Sequence, residues 1–180
     1  APMIPSPARL IVSVIYREEG RFGEVLPMLA DRFGELGGTS GIFPFDRTDF
    51  YQKEMGAPLY RRFAVIGRLV PRDALAGAKK VAEELERRFS ENGKRTLNID
   101  PGLLTEENYI LATGKNYSHR VYLRDGVFAD LTLVYRKGEY QPLPWTYPDI
   151  ASEGIRAFLE GAREDLREAR KIEAGEAICG

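Results

Sequence analysis

The stretch Thr96-Leu97-Asn98-Ile99-Asp100-Pro101-Gly102-Leu103-Leu104 reads as a short buried strand that breaks into a Pro-Gly turn. Asn98 and Asp100 alternate with Leu97 and Ile99, so two polar side chains share one face of a strand whose other face is apolar. Buried polar groups need partners, and the pair therefore marks either a ligand site at the strand's end or Asx residues closing the turn.

Working outward from this strand, the preceding residues form one folding unit. Pro71 opens a helix whose apolar stripe is Leu75, Ala78, Ala82, Leu85 and Phe89, with Glu83/Arg87 and Glu84/Arg88 as i,i+4 pairs and Asn92-Gly93 as the stop. Arg9 to Tyr16 is nearly unbroken and β-branched, the pattern of a central strand covered on both faces. Phe22, Val25, Leu26, Leu29 and Phe33 lie on one helical face ended by Gly34, which requires Pro27 to sit in the first turn. Thr39 to Phe45 and Leu59 to Val70 are strands. The order strand, helix, strand, strand, helix, strand is that of a ferredoxin-like βαββαβ unit in an α+β fold with a largely antiparallel sheet.

Downstream, Tyr109 to Thr113, His119 to Arg124 and Val127 to Tyr135 add β-hairpin strands, with turns at Asp125-Gly126 and Lys137-Gly138. A C-terminal helix starts at Pro148-Asp149, with Asp149 as N-cap and Ile155, Phe158, Leu159, Ala162, Leu166 and Ala169 on one side. The expected organisation is a proline-rich arm over 1–8, one α+β domain over 9–174 and a flexible tail over 175–180.

Composition limits the function classes. A net charge of −1 and a pI near 6.0 argue against nucleic acid as a partner, because the chain as a whole has no positive charge with which to blanket phosphates. No apolar run approaches the roughly 20 residues of a membrane span, and the first residues lack the regions of a signal peptide, so the expected location is cytoplasmic. A lone cysteine, Cys179, and a lone histidine, His119, leave no thiol-zinc or His-Glu-x-x-His site. Gly114-Lys115 lacks the remainder of a phosphate-binding loop.

The candidate residues are those that interrupt apolar segments. With Asp125 and Gly126 as the loop of a two-residue hairpin, Leu123 faces Phe128, Val121 faces Asp130 and His119 faces Thr132, which makes His119 and Asp130 diagonal neighbours. A carboxylate beside an imidazole orients it for acid/base catalysis, or simply ties two strands together. Asp46 and Asp49, on an aromatic base of Phe43, Phe45, Phe50 and Tyr51, suit Mg2+ or Mn2+, with Asp100 as a third carboxylate; the same acidic pair with Thr48 also suits a helix start. Lys115, Arg120, Arg61 and Arg62 are cations for a phosphate or carboxylate, or a solvated strand face. Trp145, Tyr147 and Tyr117 stack on a planar ligand or serve as core.

Four segments occur together: Phe43-Pro44-Phe45-Asp46-x-Thr48-Asp49-x-Tyr51-x-x-Glu54-Met55-Gly56, Leu97 to Gly102, Ser118 to Leu123, and Pro144-Trp145-Thr146-Tyr147-Pro148-Asp149. In this order they resemble the uncharacterised prokaryotic family catalogued as domain of unknown function 4416, over most of the chain. The resemblance implies that the four segments belong together; it brings no established activity.

The expectation is one polar cleft for a small anionic or phosphorylated ligand. Asp46, Asp49 and Asp100 would serve as metal or substrate ligands, His119 as an acid/base oriented by Asp130, and Lys115, Arg120, Asn98, Thr48, Tyr51 and Trp145 as ligand contacts. The alternative is a non-catalytic module docking a protein partner or nucleotide-like ligand on its sheet, and self-association through the C-terminal helix is a further possibility.

Overall fold

The computed structural model describes residues 1–46, 48 and 50–175 and the backbone of 176–179. Among the described residues a nine-stranded antiparallel sheet carries helices on both faces. Its centre is β1 (Ala8–Tyr16), buried along its whole length as its β-branched run requires. β4 (Tyr60–Val70) pairs it on one side and β5 (Leu97–Leu104) on the other; β2 (Leu36–Thr39) lies beyond β4. Past β5 come β6 (Asn108–Thr113), β8 (Val127–Arg136) and β7 (Arg120–Arg124).

Alternation along β1 divides the core. Leu10, Val12, Val14 and Tyr16 pack with α1 (Glu19–Phe33) and α3 (Leu75–Arg88). Ile11 faces the opposite side with Phe63, Tyr109 and α4 (Glu153–Cys179), through Ile155, Leu159 and Ala162. No helix among the described residues is long and apolar enough to cross a membrane.

Several local expectations are corrected. The strand expected over Thr39 to Phe45 is two short ones, β2 and β3 (Phe43–Pro44), both on β4, because the Ser40 hydroxyl takes the Phe63 N–H at 2.8 Å between them. A single-turn helix α2 (Gln52–Met55) follows. Pro27 sits inside α1 and not in its first turn. Both Pro27 and Gly23, the residue four back, are exposed, so water is available to the carbonyl that proline leaves without a donor. Burial of Phe22, Val25, Leu29 and Phe33 offsets that loss.

Pro101-Gly102 makes no turn: β5 runs straight through it to Leu104. Gly102 is required for a different reason. The Tyr109 side chain crosses it to donate to the Ile11 carbonyl at 3.0 Å, and a Cβ on Gly102 would meet the ring at 2.6 Å. Asp149 is no N-cap either, since α4 begins at Glu153 and the Asp149 carboxylate is spent on Arg61.

The β7/β8 hairpin turns at Asp125 (φ 53°) and Gly126 (φ 77°), the left-handed pair of a two-residue loop. Its register departs from the expected one by a residue. Arg124 pairs Val127, but a bulge at Leu123 then sets Tyr122 opposite Phe128 and Arg120 opposite Asp130. A second hairpin through Lys137-Gly138 adds β9 (Glu139–Pro142), a strand the sequence reading omitted.

Candidate functional site

The ladder between β5 and β6 ends at Gly102↔Leu111. Beyond it β5 stays with β1 and β6 stays with β8, so the two strands part. Pro101, with no N–H to offer, lies where pairing stops. A cavity of about 360 Å³ fills the split, and all four motif segments contribute to it.

One wall comes from α3 and β5. Lys79 Nζ lies 2.7 Å from Asp100 Oδ1, and Asn98 Nδ2 donates to Asp100 Oδ2 at 2.9 Å, so both carboxylate oxygens are engaged. Arg95 extends the network, reaching Asn98 Oδ1 at 2.9 Å, Glu86 at 3.2 Å and Glu54 at 2.8 Å. Burial alone would push the Asp100 carboxyl up, but the Lys79 ammonium and the Asn98 amide outweigh it and hold the group below its usual range. Burial wins at Glu86, which is pushed up despite Lys79. Lys79 is itself raised, because Asp100 and Glu86 outweigh the cost of burying an ammonium.

The facing wall comes from β6, β7 and β8. The bulge at Leu123 puts Arg120 across from Asp130, and Arg120 Nε donates to Asp130 Oδ2 at 2.8 Å. Arg120 Nη1 reaches the Lys115 carbonyl at 2.9 Å, which pins the Gly114-Lys115 turn. The Lys115 ammonium stands 4.0 Å from the centre of the Phe50 ring and has no ion-pair carboxylate among the described residues. Phe50 and Tyr51 close one side of the cavity, and Trp145, Thr146 and Tyr147 another. The latter loop is fixed by Trp145 Nε1 donating to the Leu131 carbonyl at 2.7 Å and the Thr146 hydroxyl donating to the Thr132 carbonyl at 2.6 Å.

His119 stands behind this lining. Its ring stacks on Trp145 at 4.8 Å and on Tyr117 at 6.0 Å, while Arg120 covers Tyr117 at 4.7 Å, giving a column Arg120, Tyr117, His119, Trp145. His119 Nε2 is 3.2 Å from Asp130 Oδ2, so the expected His-Asp neighbours do meet, from the turn before β7 and not from the strand.

The split therefore gathers Lys115, Arg120, Asn98, Tyr51, Trp145, Asp100 and Asp130 around one cavity. It does not gather the others. Thr48 uses its hydroxyl to accept the Phe50 N–H at 3.3 Å, Asp46 is exposed outside the lining, and Asp49 lies outside the described residues. No group of three or more His, Cys, Asp or Glu side chains among the described residues has a metal-holding arrangement. Arg62 turns away to the Ser40 carbonyl at 2.8 Å, and Arg61 is a buried partner of Asp149.

Sequence reasoning missed Lys79, Glu86 and Arg95. A signal for the first two existed: at 3.6 residues per turn both fall within about 40° of Leu75, inside the apolar stripe of α3. Charges at such positions are buried and need partners. Arg95 carries no such signal, since its partners Glu54 and Glu86 come from separate elements.

The class these features define is an α+β protein with a polar, aromatic-edged cavity at a split in its antiparallel sheet. The chain belongs to the family described as Domain of unknown function (DUF4416), whose family model matches residues 6–166, a span that includes all four motif segments. A search of the curated proteins and a search of the solved structures each return no match.

Proposed function

We propose that the cavity binds a small anionic ligand, phosphorylated or carboxylic, as a small-molecule-binding protein or enzyme. The observation that carries this reading is the distribution of charge. Lys79, Arg95 and Arg120 are each ion-paired with a carboxylate, whereas Lys115 at the same cavity lies over an aromatic ring, makes no ion pair among the described residues and feels only the longer-range field of Glu54. An ammonium without an ion-pair partner at the mouth of a polar cavity attracts an anion. The volume lies in the lower range of small-molecule sites.

In this reading His119 is a positioning residue, backing Trp145 and sharing Asp130 with Arg120. A Mg2+ or Mn2+ ion would arrive with a ligand phosphate, because Asp100 is already held by Lys79 and Asn98. The alternative docking module has one observation in its favour, the exposed strip Val121, Tyr122 and Leu123 on the edge strand β7.

The test is a thermal-shift and calorimetric titration of the full chain with inorganic phosphate, pyrophosphate, citrate and sugar phosphates. At least one anion is expected to raise the melting temperature, and Lys115→Ala is expected to abolish that rise while leaving the unliganded melting temperature near the wild-type value. Indifference of the wild type to every anion overturns the proposal.

A further inference from the structure

Resting on the anion-binding reading, we infer that the ligand is a polyol carrying one anionic group, a sugar phosphate or sugar acid, with its hydroxyls held by the paired side chains of the two walls and its anion held at Lys115.

Three observations converge on this chemistry. The first is that the cavity is not a basic pocket. Glu83, Glu86, Asp100 and Asp130 line it together with Lys79, Arg95, Lys115 and Arg120, so the formal charges match and a compact polyanion would meet like charge on both walls. One anionic group would pair with Lys115, the one lining cation without an ion-pair carboxylate among the described residues, and the rest of the ligand must be neutral and polar.

The second is the form of the remaining polar groups. They come as bonded donor and acceptor neighbours: Lys79 with Asp100 at 2.7 Å, Asn98 with Asp100 at 2.9 Å, Arg120 with Asp130 at 2.8 Å. A hydroxyl is the common ligand group that both donates and accepts, and adjacent hydroxyls on a sugar are spaced on the same scale as such side-chain pairs. An Asp-Asn-Lys cluster facing an Arg-Asp pair across the split thus offers alternating partners to a polyhydroxylated chain or ring.

The third is the aromatic edge. Phe50 and Trp145 line the cavity yet stay 52% and 40% exposed, which is unusual for large apolar rings. Trp145 is held rigidly by its Nε1 hydrogen bond and by His119 stacked against it. A fixed, half-exposed ring beside hydrogen-bonding groups suits a ligand with an apolar C–H face and polar edges, which a sugar ring has.

The experiment is a calorimetric titration of the full chain with glucose 6-phosphate, ribose 5-phosphate, gluconate, glucose, inorganic phosphate, pyrophosphate and citrate. At least one anionic polyol is expected to bind at least about tenfold more tightly than both phosphate and glucose. Glucose 6-phosphate or ribose 5-phosphate leading identifies the phosphate form, and gluconate leading the carboxylate form. Lys115→Ala is expected to remove the advantage over glucose. Asn98→Ala and the more conservative Trp145→Phe are expected to reduce the advantage over phosphate, with circular dichroism confirming that each variant is folded. If phosphate, pyrophosphate or citrate binds as tightly as any polyol and in a Lys115-dependent way, the polyol inference falls and the anion reading stands. If none of the seven binds, both fall.

Discussion

Arg61 and Asp149, 88 residues apart in the chain, form a buried ion pair with Nε to Oδ2 at 2.6 Å and Nη2 to Oδ1 at 3.3 Å. Arg61 also donates to Ser13 and packs on Phe45 and Tyr147. The pair ties β4, beside the central strand β1, to the loop that carries Trp145 and Tyr147 to the cavity. Removing one partner strands a buried charge, so Arg61→Met and Asp149→Leu are each expected to cost about 3–5 kcal/mol in urea unfolding. The double variant, with no charge left, is expected to recover much of that loss. Additive costs would show that the pair does not act as a unit.

Gly102→Ala tests the crossing of Tyr109 over β5. The added methyl would meet the ring at 2.6 Å, with β1 and β5 hydrogen-bonded on either side of the displacement. A destabilisation of about 1–3 kcal/mol is expected. Combining it with Tyr109→Leu should cost less than the sum of the two single changes, because the ring that collides is gone. A strictly additive double mutant would remove the steric explanation.

Acid stability follows from Asp100 and Glu54. Both carboxyls are held below their usual range in the folded state, Asp100 against burial by Lys79 and Asn98, Glu54 chiefly by hydrogen bonds from Arg95. Their contribution is present above the unfolded-state pKa, about 4, and is lost as pH falls through the lower folded-state values. Glu86 runs the other way: its raised folded-state value makes its ionised form a cost at neutral pH that protonation relieves. Asp100→Asn is therefore expected to be less stable than wild type at pH 7 and to show a flatter acid limb. An unchanged limb in urea titrations between pH 7 and 2 would rule out Asp100 as a contributor.

His119→Ala removes the ring between Tyr117 and Trp145. The loss of stacking is expected to cost about 0.5–1.5 kcal/mol. Trp145 is the only tryptophan, so its emission reports the change directly. A shifted emission maximum with a modest stability loss is expected. Unchanged fluorescence would place His119 out of contact with Trp145.

The parts of the molecule legible in the sequence are those whose signal is local. β1 follows from an apolar β-branched run, α3 from its stripe and end signals, and the Asp125-Gly126 turn from two residues that tolerate positive φ. Asn98 and Asp100 fall on one strand face because side chains alternate with period two, and their hydrogen bond follows from that. The Asp125-Gly126 turn also places His119 near Asp130, although the bulge at Leu123 hands the facing position to Arg120.

By itself, then, the sequence determined an α+β chain with a largely antiparallel sheet, its central strand, its principal helices and the four polar segments that interrupt its apolar pattern. Tertiary structure alone decided where those segments meet. The cavity exists because the β5/β6 ladder stops at Gly102, and the charges of α3 are matched there by residues of β5 and of the chain just before it. Asp149 became the partner of Arg61 for the same kind of reason. Helix caps and turns are settled between residues a few positions apart, whereas the cost of a buried charge is met by whichever group the fold brings within reach, and that group can lie anywhere in the chain.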